Sequence, residues 1–298
     1  MTQQLSGTAC GLANASANRV DTGGHEFELR DADFDALRDL VKTETGICLG
    51  AEKRALIYTR LSRRVRALGL RNFCEYRARL ETGDSVELGE FRDAVTTNLT
   101  SFFREPHHFE YLRNQVLRPL MTTPGSSRRL RIWSAGCSTG EEPYSIAMTV
   151  METLGDLRHW DVRILATDLD SHVLATARSG SYAENRMGGL GAERRKRFFK
   201  SEGQGDAAVH TAIAPLRDMI TFKPLNLMNE LPMKGPLDAI FCRNVFIYFD
   251  KDTQGEILTR FSTKQQPGNL LFLGHSENVA RITRSYSLVG QTIYRRAS

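Results

Sequence analysis

The run LRIWSAGCSTGEEPYS, Leu130 to Ser145, decides how the rest of the chain is read. It opens with a β-rich segment ending near Ser134. A turn of small residues follows (Ala135, Gly136, Cys137, Ser138, Thr139, Gly140), and such a turn lets the backbone approach a ligand closely. A helix then starts near Glu141, with Pro143 in its first turn, where the missing N–H costs little. A dinucleotide site requires G-x-G-x-x-G here, with the pyrophosphate against the helix N-terminus. This turn has Gly136-x-x-x-Gly140 instead, followed at once by Glu141 and Glu142. Two carboxylates would repel a pyrophosphate. They suit a cationic ligand, and S-adenosylmethionine carries a sulfonium and an ammonium. About 25 residues on, at the end of the next β-rich segment, Asp168 stands where an acid commonly bridges both ribose hydroxyls. Acids in a first turn also complement the helix dipole whatever the ligand, so this run alone leaves other nucleotides open.

Working outward, β-rich segments alternate with helical ones from about residue 129: Leu130–Ser134, Val162–Thr167, Leu237–Cys242 and Asn269–Leu273. That alternation predicts an α/β fold, a doubly wound parallel sheet wrapped by helices. Near 205–224 two short strand-like runs, Ala208–Ile213 and Met219–Phe222, interrupt it, and we expect them to form a small antiparallel β-subdomain. Upstream, from about residue 26 to 97, the pattern is helical throughout. One helix holds Phe34, Leu37, Leu40 and Val41 and ends at Gly46; a second runs from about Glu52 to Leu68 and stops at Gly69. Two more are expected around Phe73–Leu80 and Val86–Thr96. On the second helix Leu61, Val65 and Leu68 share one face, while Arg60, Arg63 and Arg64 fall on the other side. The expected organisation is a disordered tail over 1–25, an all-α domain over 26–97 and an α/β domain over 98–298.

Composition narrows the classes. The 298 residues carry a net charge of +5, which permits an anionic partner: nucleic acid, an acidic protein surface or a phosphorylated ligand. No run approaches the roughly 20 apolar residues of a membrane span, and the first residues lack the basic start and apolar run of a signal peptide. The five cysteines, Cys10, Cys48, Cys74, Cys137 and Cys242, are widely spaced without a C-x-x-C. Neither a disulfide framework nor a zinc site is suggested, no metal is expected, and reduced thiols in a cytoplasmic protein fit best.

Four motifs in order carry a resemblance: Thr97–Glu105 (TNLTSFFRE), Ser138–Ser145 (STGEEPYS), Phe241–Phe249 (FCRNVFIYF) and Gly274–Glu277 (GHSE). Together they resemble the chemotaxis receptor methyltransferase (CheR) family, over nearly the whole chain from about residue 30 to Tyr294. The resemblance implies a helical N-terminal domain joined to a Rossmann-like methyltransferase domain bearing a three-stranded β-subdomain. It implies methyl transfer from S-adenosylmethionine to glutamate side chains on the cytoplasmic helical domain of chemoreceptors (methyl-accepting chemotaxis proteins). The products would be γ-glutamyl methyl esters, serving sensory adaptation, and S-adenosylhomocysteine. Carried across by motif, the cofactor contacts fall on Asn98, Thr100, Arg104, Glu142, Asp168, Asn226, Leu227, Arg243 and Asn244, and Tyr248 matches the tyrosine near the transferring methyl. Arg104 and Tyr248 are the expected catalytic pair, orienting the incoming carboxylate. Because receptor methylation regions are acidic helical bundles, Arg60, Arg63 and Arg64 are expected to help recognise the receptor. Some family members also dock on a receptor C-terminal peptide through the β-subdomain. A monomer is expected.

Two other readings stand beside this one. The same fold could serve an RNA or small-molecule methyltransferase, but no aromatic-rich basic groove is visible, and no nucleic-acid partner or membrane insertion is expected. Asn244-Val-Phe-Ile also lacks the prolines of the Asn/Asp-Pro-Pro-Tyr motif of base N-methyltransferases. A non-catalytic module that senses the cofactor would not need Arg104, Asn244 and Tyr248 intact.

Overall fold

A computed structural model describes residues 25–298; apart from His25, the expected tail lies outside the described residues. The described residues divide into two compact units, one formed by residues 25–44 together with Leu49–Val95, the other by Thr45–Cys48 and Thr96–Ser298.

The first unit is helical: α1 (Asp31–Thr45), α2 (Arg54–Ala67), α3 (Phe73–Glu81) and α4 (Ser85–Val95). Asn72 caps α3 by accepting from the Glu75 amide at 3.0 Å. The apolar stripes meet as their 3.6-residue spacing requires, burying Phe34, Leu37, Ile57, Leu61, Val65, Tyr76 and Phe91. The arginine face differs from its expectation. Arg64 donates to Glu87 (2.6 and 3.0 Å) and Glu90 (2.8 Å), and Arg60 donates to the Val95 carbonyl at 2.5 Å. Only Arg63 of the three is exposed. Helical spacing places a residue on a side, but it does not show that α4 would supply acids to that side.

In the second unit, α5 (His107–Leu112) and α6 (Arg118–Thr122), joined by one wide helical turn, lead into the sheet. Its strands are β1 (Arg129–Ala135), β2 (Asp161–Asp168), β6 (Ile220–Pro224), β7 (Ala239–Cys242), β8 (Leu270–Leu273), β9 (Tyr286–Gly290) and β10 (Ile293–Arg296), in the order β6-β2-β1-β7-β8-β10-β9. The first five are parallel, and β10 runs antiparallel to both β8 and β9. Helices α7 (Glu141–Leu154), α8 (Ser171–Ser179) and α11 (Lys251–Thr263) connect parallel strands. The period-2 alternation of the strands splits the core into two layers. Leu130, Ile132, Phe241 and Phe272 pack with Tyr144, Ile146 and Val150 of α7, while Trp133, Ile240, Leu271 and Leu273 pack with Ile257, Leu258 and Phe261 of α11. Strand order reverses between β1 and β7, the switch point outside whose carboxyl ends doubly wound sheets bind ligands.

A second sheet of three short strands, β3 (Ser181–Ala183), β4 (Phe199–Glu202) and β5 (Val209–Ala212), runs antiparallel in the order β3-β5-β4. The short helix α9 (Ala192–Phe198) lies between β3 and β4 in sequence, and α10 (Ala214–Asp218) follows β5. The β-subdomain therefore begins earlier than 205. Of the two runs expected to form it, only Ala208–Ile213 does so, as β5. Met219–Phe222 instead becomes β6, the parallel edge partner of β2. A short β-rich run does not announce its partner, because pairing is settled by neighbours far away in sequence.

Candidate active site

At the carboxyl ends of β1, β2 and β7 lies a cavity of about 270 Å³. Its lining includes Asn98, Thr100, Arg104, Glu142, Asp168, Asn226, Leu227, Arg243, Asn244 and Tyr248, so the ten positions carried across from the motifs converge on one site. Thr45 and Ile47 also line it. Arg60, Arg63 and Arg64 are not among its lining residues.

The cradle is built by backbone. Gly136 and Gly140 both have positive φ (79° and 99°). A Cβ on Gly136 would drive into Val245, and one on Gly140 would meet Tyr182 Oη at 2.8 Å and Ala177 Cβ at 2.9 Å. The amides of Gly136 and Cys137 both donate to the Thr167 carbonyl (2.8 and 2.9 Å), which ties the turn to the end of β2. Asp168 accepts from the Ser138 amide at 2.7 Å and the Asp170 amide at 3.0 Å. Burial nevertheless pushes its carboxyl up to about 6, with those amides pulling the other way. Asp170 caps α8 by accepting from His172 and Val173 (2.9 and 3.2 Å) and also takes the Asn98 amide at 2.7 Å and the Thr96 hydroxyl at 2.9 Å. Asn98 is thereby anchored facing the cavity.

Across from Asp168, Glu142 accepts from Ser134 Oγ at 2.7 Å and Arg243 Nη1 at 3.1 Å. Burial raises its carboxyl, opposed by Arg243 and Ser134. Arg243 is shared: it also lies 3.2 Å from Glu105 and donates to the Arg104 carbonyl. Burial pushes Glu105 up too, but Arg243 and His275 outweigh it and leave it below the usual carboxylate range. Glu105–Arg243–Glu142 is thus a buried chain of two carboxyl groups sharing one guanidinium, and a cation entering beside Glu142 would favour its ionised form.

One expectation concerned Glu141 as well. It faces away from the cavity, held by Arg186 and by Thr139 Oγ1 at 2.7 Å. Only the second acid of the pair is available to a ligand.

Residues without an assigned role in the motifs prove to hold the site together. Glu277 is buried and accepts from three amides, Gly274 (2.5 Å), Asn244 (2.9 Å) and Ile247 (3.2 Å). It clamps the loop after β7 to the loop after β8. Glu105 accepts from the His275 amide at 3.1 Å and so joins those loops to TNLTSFFRE. Both acids sit inside conspicuous motifs, yet their partners are more than a hundred residues apart for Glu105, and sequence carries no sign of that. Of the non-glycine residues with positive φ, Ser138 and Asn244 line the cavity, and Phe103 and Glu105 stand on either side of the lining residue Arg104 in sequence. Each such conformation costs roughly 1–3 kcal/mol, and strain of this kind gathers where function over-determines the backbone.

Tyr248 closes a single tight turn, Phe246–Tyr248, and its carbonyl accepts from the Cys48 amide at 2.8 Å. Its half-buried ring lines the cavity beside Arg104, whose guanidinium donates to the Leu99 carbonyl at 2.9 Å. The loop carrying Arg104 thus braces itself.

The cavity's chemistry fits S-adenosylmethionine. An acid at the end of β2 can accept ribose hydroxyls, the Glu142–Arg243 pair can meet an ammonium and a carboxylate, and two glycines leave room that a Cβ would fill.

Comparison with known proteins agrees with that geometry. The chain matches the family models "CheR methyltransferase, all-alpha domain" over residues 32–96 and "CheR methyltransferase, SAM binding domain" over residues 98–295. It is 44% identical over 270 residues to the chemotaxis protein methyltransferase of Escherichia coli (strain K12), covering 89% of this chain and 91% of that one. It is 44% identical over 273 residues to chemotaxis protein methyltransferase 2 of Pseudomonas aeruginosa, covering 91% and 95%. With the chemotaxis protein methyltransferase of Klebsiella aerogenes it shares 42% identity over 292 residues, covering 96% and 97%.

Proposed function

The chain belongs to the CheR family of S-adenosylmethionine-dependent chemotaxis methyltransferases, and on that premise we propose that it methylates glutamate side chains of chemoreceptors in the cytoplasm, forming γ-glutamyl methyl esters for sensory adaptation. The observation that carries this reading is the convergence of Arg104, Tyr248, Asp168 and the Glu142–Arg243 pair on one cavity at the switch point.

Asp168 would hold the ribose of the cofactor. Glu142 would take its ammonium and Arg243 its carboxylate, with Asn98, Thr100, Asn226, Leu227 and Asn244 shaping the remainder. When bound, the cofactor supplies an electrophilic methyl group on a sulfonium. A glutamate acceptor is already ionised at neutral pH, its unperturbed pKa being near 4.3, so the chain need not furnish a strong base. What it must furnish is alignment. Arg104 and Tyr248 would steer the carboxylate; the hydrogen bond from Arg104 to the Leu99 carbonyl fixes the guanidinium and leaves its charge and its other N–H donors for the acceptor. Joining an anion to a cation gives neutral products, and exclusion of water favours that change.

For the receptor, Arg63 is the exposed one of the three expected arginines, whereas Arg60 and Arg64 serve the fold of the helical unit. In the β-subdomain β3 and β4 are the edge strands, so a receptor C-terminal peptide could add along either by strand pairing.

Methyl-labelled S-adenosylmethionine, offered together with a chemoreceptor cytoplasmic domain or with RNA, tests the proposal. Base-labile label on the receptor domain is expected. Label on RNA, or base-stable label on the receptor, would overturn it.

A further inference from the structure

Among the described residues six large apolar side chains are exposed, and two of them, Leu99 at 80% and Ile247 at 53%, line the one cavity that holds Arg104 and Tyr248. A side chain can line a cavity and still be exposed only where the cavity meets solvent, so both stand at its mouth. Neither is there through slack. The Leu99 carbonyl accepts from Arg104 and the preceding Asn98 is fastened to Asp170 at 2.7 Å, while the Ile247 amide donates to Glu277 at 3.2 Å and follows the buried Phe246. The backbone is pinned on each side, and the apolar side chains are held out into water.

Exposure of a single leucine needs no explanation. Two that line one site are different, because they come from segments nearly 150 residues apart in sequence that this cavity brings together. Polar side chains at both places would cost nothing in folding and would spare the chain that unfavourable hydration. We infer that Leu99 and Ile247 are an apolar rim that seats against the acceptor segment itself, a helical stretch of the receptor presenting apolar side chains beside the glutamate to be methylated. The inference rests on the receptor reading above and adds the contact that delivers the glutamate. Seating does two things. It buries the rim against the partner, and it shuts water out of the cavity when the carboxylate enters between Arg104 and Tyr248, which a charge-annihilating transfer favours. Specificity follows, since a carboxylate borne on a wholly polar surface cannot complete the enclosure.

The test uses the full chain with Leu99→Ser and Ile247→Ser, singly and together, beside the conservative pair Leu99→Met and Ile247→Leu. Three quantities are read: calorimetric binding of S-adenosylmethionine, binding of a chemoreceptor cytoplasmic domain, and kcat and KM for its methylation. The double serine variant is expected to lose about tenfold or more in kcat/KM and to bind the receptor domain more weakly, as truncation of a buried apolar anchor does. Cofactor affinity should stay within about twofold, a margin small on the tenfold-per-1.4-kcal/mol scale, and the conservative pair should work like the parent. A double serine variant as active as the parent, or one that loses cofactor and receptor binding together, overturns the rim. A parent protein that leaves the receptor unlabelled overturns the acceptor reading first, and the rim falls with it.

Discussion

Tyr248 and Asp168 show how much a single side chain carries here. Tyr248→Phe removes one hydroxyl from a ring whose packing the phenylalanine preserves. If that hydroxyl orients the acceptor, kcat falls by about tenfold or more while calorimetric affinity for S-adenosylmethionine hardly moves; Arg104→Ala should depress kcat further. Asp168 has its carboxyl raised to about 6 by burial, against the pull of the Asp170 and Ser138 amides. As pH falls through 6 the group takes up a proton and loses acceptor capacity toward ribose hydroxyls. Cofactor affinity should therefore weaken between pH 7 and pH 5, and Asp168→Asn should bind poorly but with that part of the pH dependence gone. Titrations at several pH values decide it. The type and place of Asp168 are legible in sequence, because an acid at the end of the second strand has one common use. The roles of Glu105 and Glu277 are not, because each acts on amides and a guanidinium that sequence leaves far away.

The loops after β1, β7 and β8 form one assembly through Glu277 and Arg243. Glu277→Ala leaves the amides of Gly274, Asn244 and Ile247 without their acceptor. Buried donors left unpaired cost about 1–3 kcal/mol each, with water recovering part, so a loss of about 2–4 kcal/mol in a denaturant titration is expected, and Glu277→Gln should recover much of it. The same loops carry Asn244 and Tyr248, so cofactor affinity should fall in step with stability. Strand identity follows a similar logic. β7 and β8 are apolar throughout and read plainly as buried strands. The run that becomes β6 is equally short and β-rich, but only its pairing with β2, from Ile164–Ile220 to Asp168–Pro224, makes it part of the main sheet.

For the whole protein, acid stability and receptor charge recognition are the accessible tests. His108 is fully buried; burial, then the positive charges of Arg243 and His107, push its pKa down to about 3. Unfolding frees it to titrate near 6.5, so between pH 6.5 and 3 the unfolded chain binds more protons and stability is lost as pH falls. Asp168, raised to about 6, works in the opposite sense from there down to its unfolded value near 3.9. Comparing melting temperatures of the parent and His108→Gln between pH 7 and pH 5 isolates the histidine, and the variant should show the shallower fall. In the helical unit Arg63→Glu should raise KM for the receptor domain and leave cofactor binding alone. Arg64→Glu should instead lower stability, because it sets a third acid beside the buried Glu87 and Glu90.

By itself the sequence determined the order of helical and α/β regions, the strand–turn–helix of Leu130–Ser145 and the set of polar residues suited to a cationic nucleotide. Periodicity and small-residue turns are local properties, and local properties are written in adjacent letters. Only the tertiary structure decided that Glu141 is turned to Arg186, that Arg60 and Arg64 are spent on α4 and its end, and that Met219–Phe222 belongs with β2. It alone brought Leu99 and Ile247 to one mouth. Each of these depends on which distant groups are near enough to pair, and that is settled when the chain packs.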